Sequence, residues 1–427
     1  WNGLDDAART AAMERPAVTA DDEIRTAVAT IIERVRREGD AALLALTKQY
    51  DQADLDRLAV DADEIAAAEG ALSNSAIAAI DLAIANVRAF HEAQRPAPVV
   101  VTTMPGVECE RRHHPIDSVG LYVPAGTAPL PSAAVMLAVP AAIAGCPTRV
   151  LCTPPRPDGR ADPAVVVAAT RAGVREIYKI GGAQAIAAMA YGTATVPKVS
   201  KLFGPGNAWV TSAKTQVSAD PRGAAIDMPA GPSEVLVIAD DTASAEFVAA
   251  DLLSQAEHGV DSQVILVTTS KSKANAVAVE VDQQLMTLDR ADIARAAIAN
   301  SRAIVVASLD EAVAVSNRYA PEHLIIQTRA PRELIDGIRN AGSVFLGPWT
   351  PESVGDYCSG TNHVLPTYGF ARNYSGLGLD QFLRSMTVQE LTVEGLKGLG
   401  GAVVTLAGLE GLDAHAAAVT RRLKAAS

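Results

Sequence analysis

Apolar residues recur at three- and four-residue intervals through residues 22–37 and 75–94, which lays them along one side of an α-helix and predicts a helical layer over the first hundred residues. The pattern changes at Ser118, where glycine, proline and small apolar residues crowd together in Gly120-Leu121-Tyr122-Val123-Pro124-Ala125-Gly126 and again through 141–147. Beyond it, short β-branched runs alternate with amphipathic stretches, the pattern of βα units in a mostly parallel sheet. The runs predict strands over 149–152, 176–180, 199–203, 234–238, 263–267, 303–307, 323–327 and 343–346. Helices are predicted at 164–172, 184–191, 208–217, 244–258, 271–284, 309–318 and 332–341, and the strands divide into two sheets. Residues 365–379, rich in Gly, Tyr, Ser and Asn, read as a linker or extended arm, followed by a last helical stretch over 399–424. No internal repeat or low-complexity tract interrupts the chain.

At 427 residues the chain exceeds the size at which one core stops growing, so two or more domains are expected. It is 49% apolar without an uncharged apolar run of about 18 residues, which points to a soluble globular protein with no membrane partner. The 37 Lys and Arg against 49 Asp and Glu leave a net charge of −12 with no basic stripe, so no nucleic-acid partner is expected. Cys109, Cys146, Cys152 and Cys358 are scattered without CxxC spacing, which fits reduced thiols in a cytoplasmic protein rather than a zinc ribbon or a disulfide framework. No charged segment followed by an apolar one, the form of a secretory signal, opens the chain.

The GxGxxG fingerprint of dinucleotide sites is missing. Its nearest match, Gly204-Pro205-Gly206-Asn207-Ala208-Trp209, follows a strand and opens a helix, so its backbone N–H groups can hold an anion, although Asn207 is equally a helix N-cap. Gln184 follows Gly181-Gly182 at the carboxyl edge of a sheet, where α/β proteins bind ligands. Of the seven histidines, His91, His113 and His114 read as solvated surface groups. Gln255 and His258 lie three apart near a helix end stopped by Gly259 and project from one face, a spacing that suits two metal ligands or simply a histidine placed well in the helix dipole. Glu322-His323 sets a carboxylate able to polarise water beside an imidazole able to take up a proton, at a sheet edge. Asp356, in a glycine-flanked loop with His363 following, either ends a turn or binds metal. Glu410 and His415 are five apart in the tail, and spacing alone puts them on the surface unless a loop at Gly411 intervenes.

Taken together, these segments resemble the L-histidinol dehydrogenase family from about Val119 to the tail. The likeness runs through Gly181-Gly182-Ala183-Gln184, Phe203-Gly204-Pro205-Gly206-Asn207, residues 225–234, residues 253–259, Ala320-Pro321-Glu322-His323, residues 341–347, residues 359–369 and residues 386–391. Ala125 replaces a glycine frequent in the family, and the first hundred residues match only loosely. The resemblance implies two Rossmann-like doubly wound α/β domains without the fingerprint, a helical N-terminal layer and an extended helical C-terminal tail. The expected division is an arm over 1–20, a first domain of 21–121 plus 232–364 carrying catalytic and metal residues, an NAD-binding domain over 122–231, and a dimerising tail over 365–427.

By the same resemblance, Gln255, His258, Asp356 and His415 bind one zinc ion per subunit, and Glu322 and His323 carry the acid and base steps. Ser233, Glu410, His323 and the zinc ligands surround L-histidinol, while Tyr122, Gln184 and Asn207 contact NAD⁺. The implied reaction is a four-electron oxidation through L-histidinal to L-histidine with two NAD⁺, in a cytoplasmic homodimer whose tails cross into the neighbouring sites. The rival readings are a dehydrogenase for another small alcohol and a two-lobed ligand-binding protein.

Overall fold

The computed structural model describes residues 1–16, 22–125, 128–229 and 231–426; Gly126 of the expected glycine-rich loop and Ala230 lie outside them. Among the described residues there are thirteen strands: β1 (Val99–Met104), β2 (Val107–Pro115), β3 (Ser118–Tyr122), β4 (Thr148–Thr153), β5 (Glu176–Lys179), β6 (Lys201–Phe203), β7 (Ala225–Ile226), β8 (Glu234–Ala239), β9 (Gln263–Thr268), β10 (Arg302–Val305), β11 (His323–Gln327), β12 (Ser343–Leu346) and β13 (Leu383–Leu391). They form two five-stranded parallel sheets, ordered β5-β4-β3-β6-β7 and β10-β9-β8-β11-β12, and a three-stranded antiparallel sheet, β1-β2-β13. Numbered within itself, each parallel sheet runs 3-2-1-4-5, the doubly wound order expected from the alternating pattern. Every residue of β8 and β9 is buried, because helices cover both faces of the sheet and leave no position for a polar alternation.

The helical layer covers the first parallel sheet. Helices Asp22–Glu38 and Asp40–Tyr50 share a core with β4 and with helices Gly182–Tyr191 and Ala208–Ala219 on one face. On the other face, Asn74–Glu92 packs with Pro131–Ala144 and Pro163–Arg171, the first of these so uniformly apolar that nearly all its residues are buried. The apolar faces of these N-terminal helices are buried against the 118–226 sheet. The N-terminal arm joins the second sheet, where Met13 and Trp1 pack with β8, β9 and β11 and the Trp1 nitrogen donates to the Val305 carbonyl at 3.0 Å.

Three further expectations change. Residues 332–341 are not an α-helix but a 3₁₀ turn, Pro331–Gly337. The stretch expected as a linker or arm, 365–379, is anchored: Leu365, Leu377 and Leu379 are buried, and the Phe382 ring that follows stacks on Phe203 with centroids 4.1 Å apart. His91 is fully buried rather than solvated, with Nδ1 donating to the Val87 carbonyl at 2.8 Å. The tail then adds β13 to the β1-β2 hairpin and ends in two helices, Val393–Leu409 and Asp413–Ala425, separated by a turn where Gly411 adopts a φ of 68°. Among the described residues no single helix is long and apolar enough to cross a membrane.

The turn after β6 is set by a buried ion pair. Gly204 has a φ of 124°, and a Cβ there would lie 2.2 Å from the Tyr122 carbonyl oxygen, so only glycine fits. Asp227 accepts from the Gly204 N–H at 2.8 Å, and Lys214 bridges the Asp227 carboxylate and the Gly204 carbonyl. Both charged side chains are at most 5% exposed. Lys214→Met leaves Asp227 buried without its cation and is expected to cost about 3–5 kcal/mol, read as a lowered urea midpoint; an unchanged midpoint would mean that the Gly204 and Met228 N–H donors suffice.

Candidate active site

The carboxyl edge of the first parallel sheet faces the amino edge of the second across a cleft of about 580 Å³. Pro124, Gly204 and Asn207 line one wall, and Ser233, His258 and Glu322 lie on the other. The first wall is where open α/β sheets bind ligands, beyond strand ends and beside the switch between β3 and β6. The second wall is the reverse: β8 and β11 begin there, and helix Ala245–Ala256 returns to the same edge, delivering Gln255 and His258.

Glu322 and His323 open β11 and are both buried. Paired β8 holds them from behind: the Glu234 N–H donates to Glu322 Oε2 at 2.9 Å, and the Glu234 carbonyl lies 3.1 Å from His323 Nδ1. A carbonyl only accepts, so Nδ1 carries a proton and Nε2 is the free nitrogen of the neutral ring. That Nε2 lies 3.3 Å from Asp356 Oδ1, and Glu322 is 3.6 Å from Nδ1. Burial pulls the imidazole toward neutrality, but Glu322, Asp356 and Glu352 overcome it and hold His323 well above the usual imidazole range. Asp356 is kept below the usual carboxylate range, its burial outweighed by His323 with help from His363 and His258.

Gln255 is almost fully buried. Its amide is oriented with Nε2 donating to both Glu352 oxygens, at 2.7 and 3.0 Å, since the opposite assignment sets acceptor against acceptor. The amide oxygen is thereby turned away from Glu352. His258, one turn on, is exposed and has its Nδ1 3.0 Å from the Ser254 carbonyl, which leaves Nε2 free, the arrangement of a metal-ligating histidine. Ser254 also donates to Glu352 at 2.8 Å. Burial pushes the Glu352 carboxyl up to about 8.

Gln255, His258, Asp356, Glu322, His323 and Ser233 thus gather at one edge. Glu410 and His415 do not join them within the single chain: both are exposed, and among the described residues no side-chain hydrogen bond or ion pair ties either to the cleft. Nor, among the described residues, do three His, Cys, Asp or Glu side chains converge closely enough to hold a metal unaided. The three donors at this edge nevertheless fit an ion: an amide oxygen freed by Glu352, a histidine with its tautomer fixed, and a carboxylate beside the buried, unpartnered His363 Nε2.

Of the residues expected at the nucleotide, Asn207 lines the cleft and also caps helix Ala208–Ala219 through Trp209 and Val210 N–H groups. Tyr122 and Gln184 are instead buried under the Gly181-Gly182 turn, with the Tyr122 hydroxyl accepting from Gly182 N–H at 3.0 Å. Glu352 and the Lys214–Asp227 pair were missed, and His363 was noted only as following Asp356; a carboxylate opening a helix and a histidine in a loop carry no distinguishing spacing.

A family model described as histidinol dehydrogenase matches residues 13–423. A histidinol dehydrogenase of Vibrio cholerae is 57% identical, covering 99% of this chain and 97% of its own length. That of Xanthomonas oryzae pv. oryzae is also 57% identical, covering 100% and 99%. The crystal structure of histidinol dehydrogenase from Elizabethkingia anophelis superposes with a TM-score of 0.96 at 47% identity, covering 99% of this chain and 97% of that one.

Glu352→Ala releases the Gln255 amide, and if that amide serves a metal the expected outcome is a rise of about 10- to 100-fold in the zinc dissociation constant, the usual scale for losing an orienting partner. Competition with a chromogenic chelator measures it, and an unchanged constant would remove Gln255 from the ligand set.

Proposed function

The chain belongs to the histidinol dehydrogenase family, and on that premise we propose how its own residues carry L-histidinol through L-histidinal to L-histidine. The activity, an NAD⁺-dependent oxidoreductase of histidine biosynthesis, accompanies identity of this degree over the full length. The observation that carries the residue assignments is the meeting of Glu322, His323, Asp356, Gln255 and His258 at one edge of a cleft whose other wall is the first sheet's ligand-binding edge. A fold that only closed on a ligand would not need a buried imidazole between two carboxylates.

In the first step the neutral form of His323 accepts the alcohol proton at Nε2 as a hydride leaves the carbinol carbon for NAD⁺, giving the bound aldehyde, and the surrounding carboxylates stabilise the imidazolium that forms. Glu322 then takes a proton from water as its oxygen adds to the aldehyde. A second hydride passes from the hydrate anion to a second NAD⁺, and the acid so formed gives its proton to His323, which has by then returned its first proton to solvent, leaving the carboxylate. Adjacency at the entry to β11 sets the two side chains apart, Glu322 toward the Glu234 N–H and His323 with Nε2 toward Asp356, so one pair serves both steps. Gln255, His258 and Asp356 would hold zinc, with His415 as fourth ligand. Bound there, the ion supplies an anchor for the imidazole and amino nitrogens of the substrate. Ser233 and Glu410 complete the substrate pocket, and Tyr122, Gln184 and Asn207 serve the nucleotide, the first two by supporting the Gly181-Gly182 turn.

The reading includes a cytoplasmic homodimer in which each tail brings Glu410 and His415 to its neighbour. The tail's own surface supports this, for Val403, Leu406, Leu409 and Leu412 are all exposed, an apolar face left uncovered among the described residues.

Absorbance at the NADH band is expected to rise with L-histidinol, to fall away after chelation and to return with zinc; a chelator-insensitive rate would reject the metal. Glu322→Gln should slow oxidation of supplied aldehyde by about 10²–10⁴-fold, the span of general acid–base catalysis, and the alcohol less, whereas His323→Gln should slow both. Equal losses at both steps in Glu322→Gln would reject the division. Mixing inactive His415→Ala with inactive Glu322→Gln subunits should restore activity through shared sites, and no recovery after proven subunit exchange would count against tail exchange.

A further inference from the structure

The N-terminal arm has no task in that scheme, yet Arg15, just beyond helix Asp6–Ala12, reaches behind the reactive pair. Its guanidinium is 11% exposed and faces a Glu234 side chain that is 2% exposed. Nε and Nη2 donate to the two Glu234 carboxylate oxygens, the Nη2 bond being 3.0 Å. The same Nη2 donates to the Tyr319 carbonyl at 2.8 Å and the Ala320 carbonyl at 3.4 Å, and the guanidinium lies 3.9 Å from the Tyr319 ring centroid. One cation therefore grips the first residue of β8 and the two residues that lead into Pro321-Glu322-His323. Ala320 needs holding: its φ of 56° is a left-handed conformation that costs a residue with a Cβ.

Glu234 is the link. Its backbone N–H donates to Glu322 and its carbonyl meets His323 Nδ1, while its side chain is paired to Arg15 and also accepts from the Tyr368 N–H at 2.9 Å. Burial pushes the Glu234 carboxyl up, against the pull of Arg15, and Glu322 adds to the push. Without the guanidinium, a second unpaired carboxylate would sit in low dielectric beside Glu322, and the segment carrying it would shift or take up a proton.

We propose that Arg15 is a positioning residue for the reaction: by pairing with Glu234 and tying down the Tyr319 and Ala320 carbonyls, it fixes Glu322 and His323 in their working geometry. The inference rests on the reading of Glu322 and His323 as the proton-transferring pair.

The test uses the full-length zinc-loaded enzyme and four variants: Arg15→Met, Arg15→Lys, Glu234→Gln and the double variant Arg15→Met/Glu234→Gln. Arg15→Met is expected to lower kcat per folded subunit about 10- to 100-fold, the scale of a small misplacement of reacting groups, with KM for L-histidinol changed much less. Arg15→Lys should recover part of the loss, since it keeps the charge but not the two-pronged pairing. Adding Glu234→Gln to Arg15→Met should raise kcat again, because it removes the uncompensated carboxylate. A loss in the double variant equal to the product of the single losses, or a kcat in Arg15→Met that tracks only the folded fraction, overturns the proposal. If Arg15→Met does not fold, Arg15→Lys decides alone: lowered kcat at an unchanged unfolding midpoint supports it, and unchanged kcat refutes it. Glu322→Gln and His323→Gln, measured alongside, separate the two failures. Wild-type rates in those variants sink the reading of the pair and this inference with it, whereas inactivity there beside a fully active Arg15→Met sinks the inference alone.

Discussion

Four carboxylates, from Glu234, Glu322, Glu352 and Asp356, crowd the amino edge of the second sheet around the buried His323 imidazole, with His363 beside Asp356. In a medium of low dielectric so many negative charges cannot stand together unpaired. The structure answers each differently. Arg15 takes Glu234, His323 lies between Glu322 and Asp356, and Glu352 is pushed by burial toward its neutral form while it accepts from Ser254 and Gln255. The arm, helix Ala245–Ala256 and helix Glu352–Tyr357, which carries Asp356 where a loop was expected, each bring a partner to this edge.

The second constraint is the way the two sheets meet. With identical strand order, each could use its own carboxyl edge, yet the second contributes its amino edge to the cleft. The carboxyl edge offers glycine turns and helix N-termini, which suit an anionic nucleotide. The amino edge offers the first side chains of strands and the C-terminal end of helix Ala245–Ala256, where partial negative charge favours a cation. A cleft with one wall of each kind can hold a dinucleotide and a cationic amino alcohol face to face without either wall compromising for the other.

Much of this was legible in the sequence. The strand predictions over 323–327 and 343–346 coincide with β11 and β12, because a short β-branched run bounded by turn residues has few other solutions. Strand β3 went unpredicted because glycine interrupts it, and helix Pro131–Ala144 because its uniform apolarity shows no period. The antiparallel sheet was invisible for another reason: β13 pairs with β2 across about two-thirds of the chain, and pairing at that separation leaves no local signal. At the site, Gln255 and His258 announced themselves by spacing, whereas Glu352, His363 and Arg15 matter only through neighbours that the fold brings from elsewhere. Tyr122 and Gln184 came from resemblance, and burial changes how they can serve: through the turn above them rather than by direct reach.

The tail poses the remaining physical question, since one chain leaves both Glu410 and His415 exposed on it and gives its apolar face no cover. Within a single chain that exposure is a cost without return, because leucines at Leu406, Leu409 and Leu412 stand in water beside polar groups that touch nothing in the cleft. If a second copy covers that face, the same burial that drives association also carries an imidazole and a carboxylate toward the three proposed ligands, which would be one short of a tetrahedral set. On that account metal binding and dimerisation are linked, each strengthening the other by the free energy they share, so zinc affinity should depend on protein concentration.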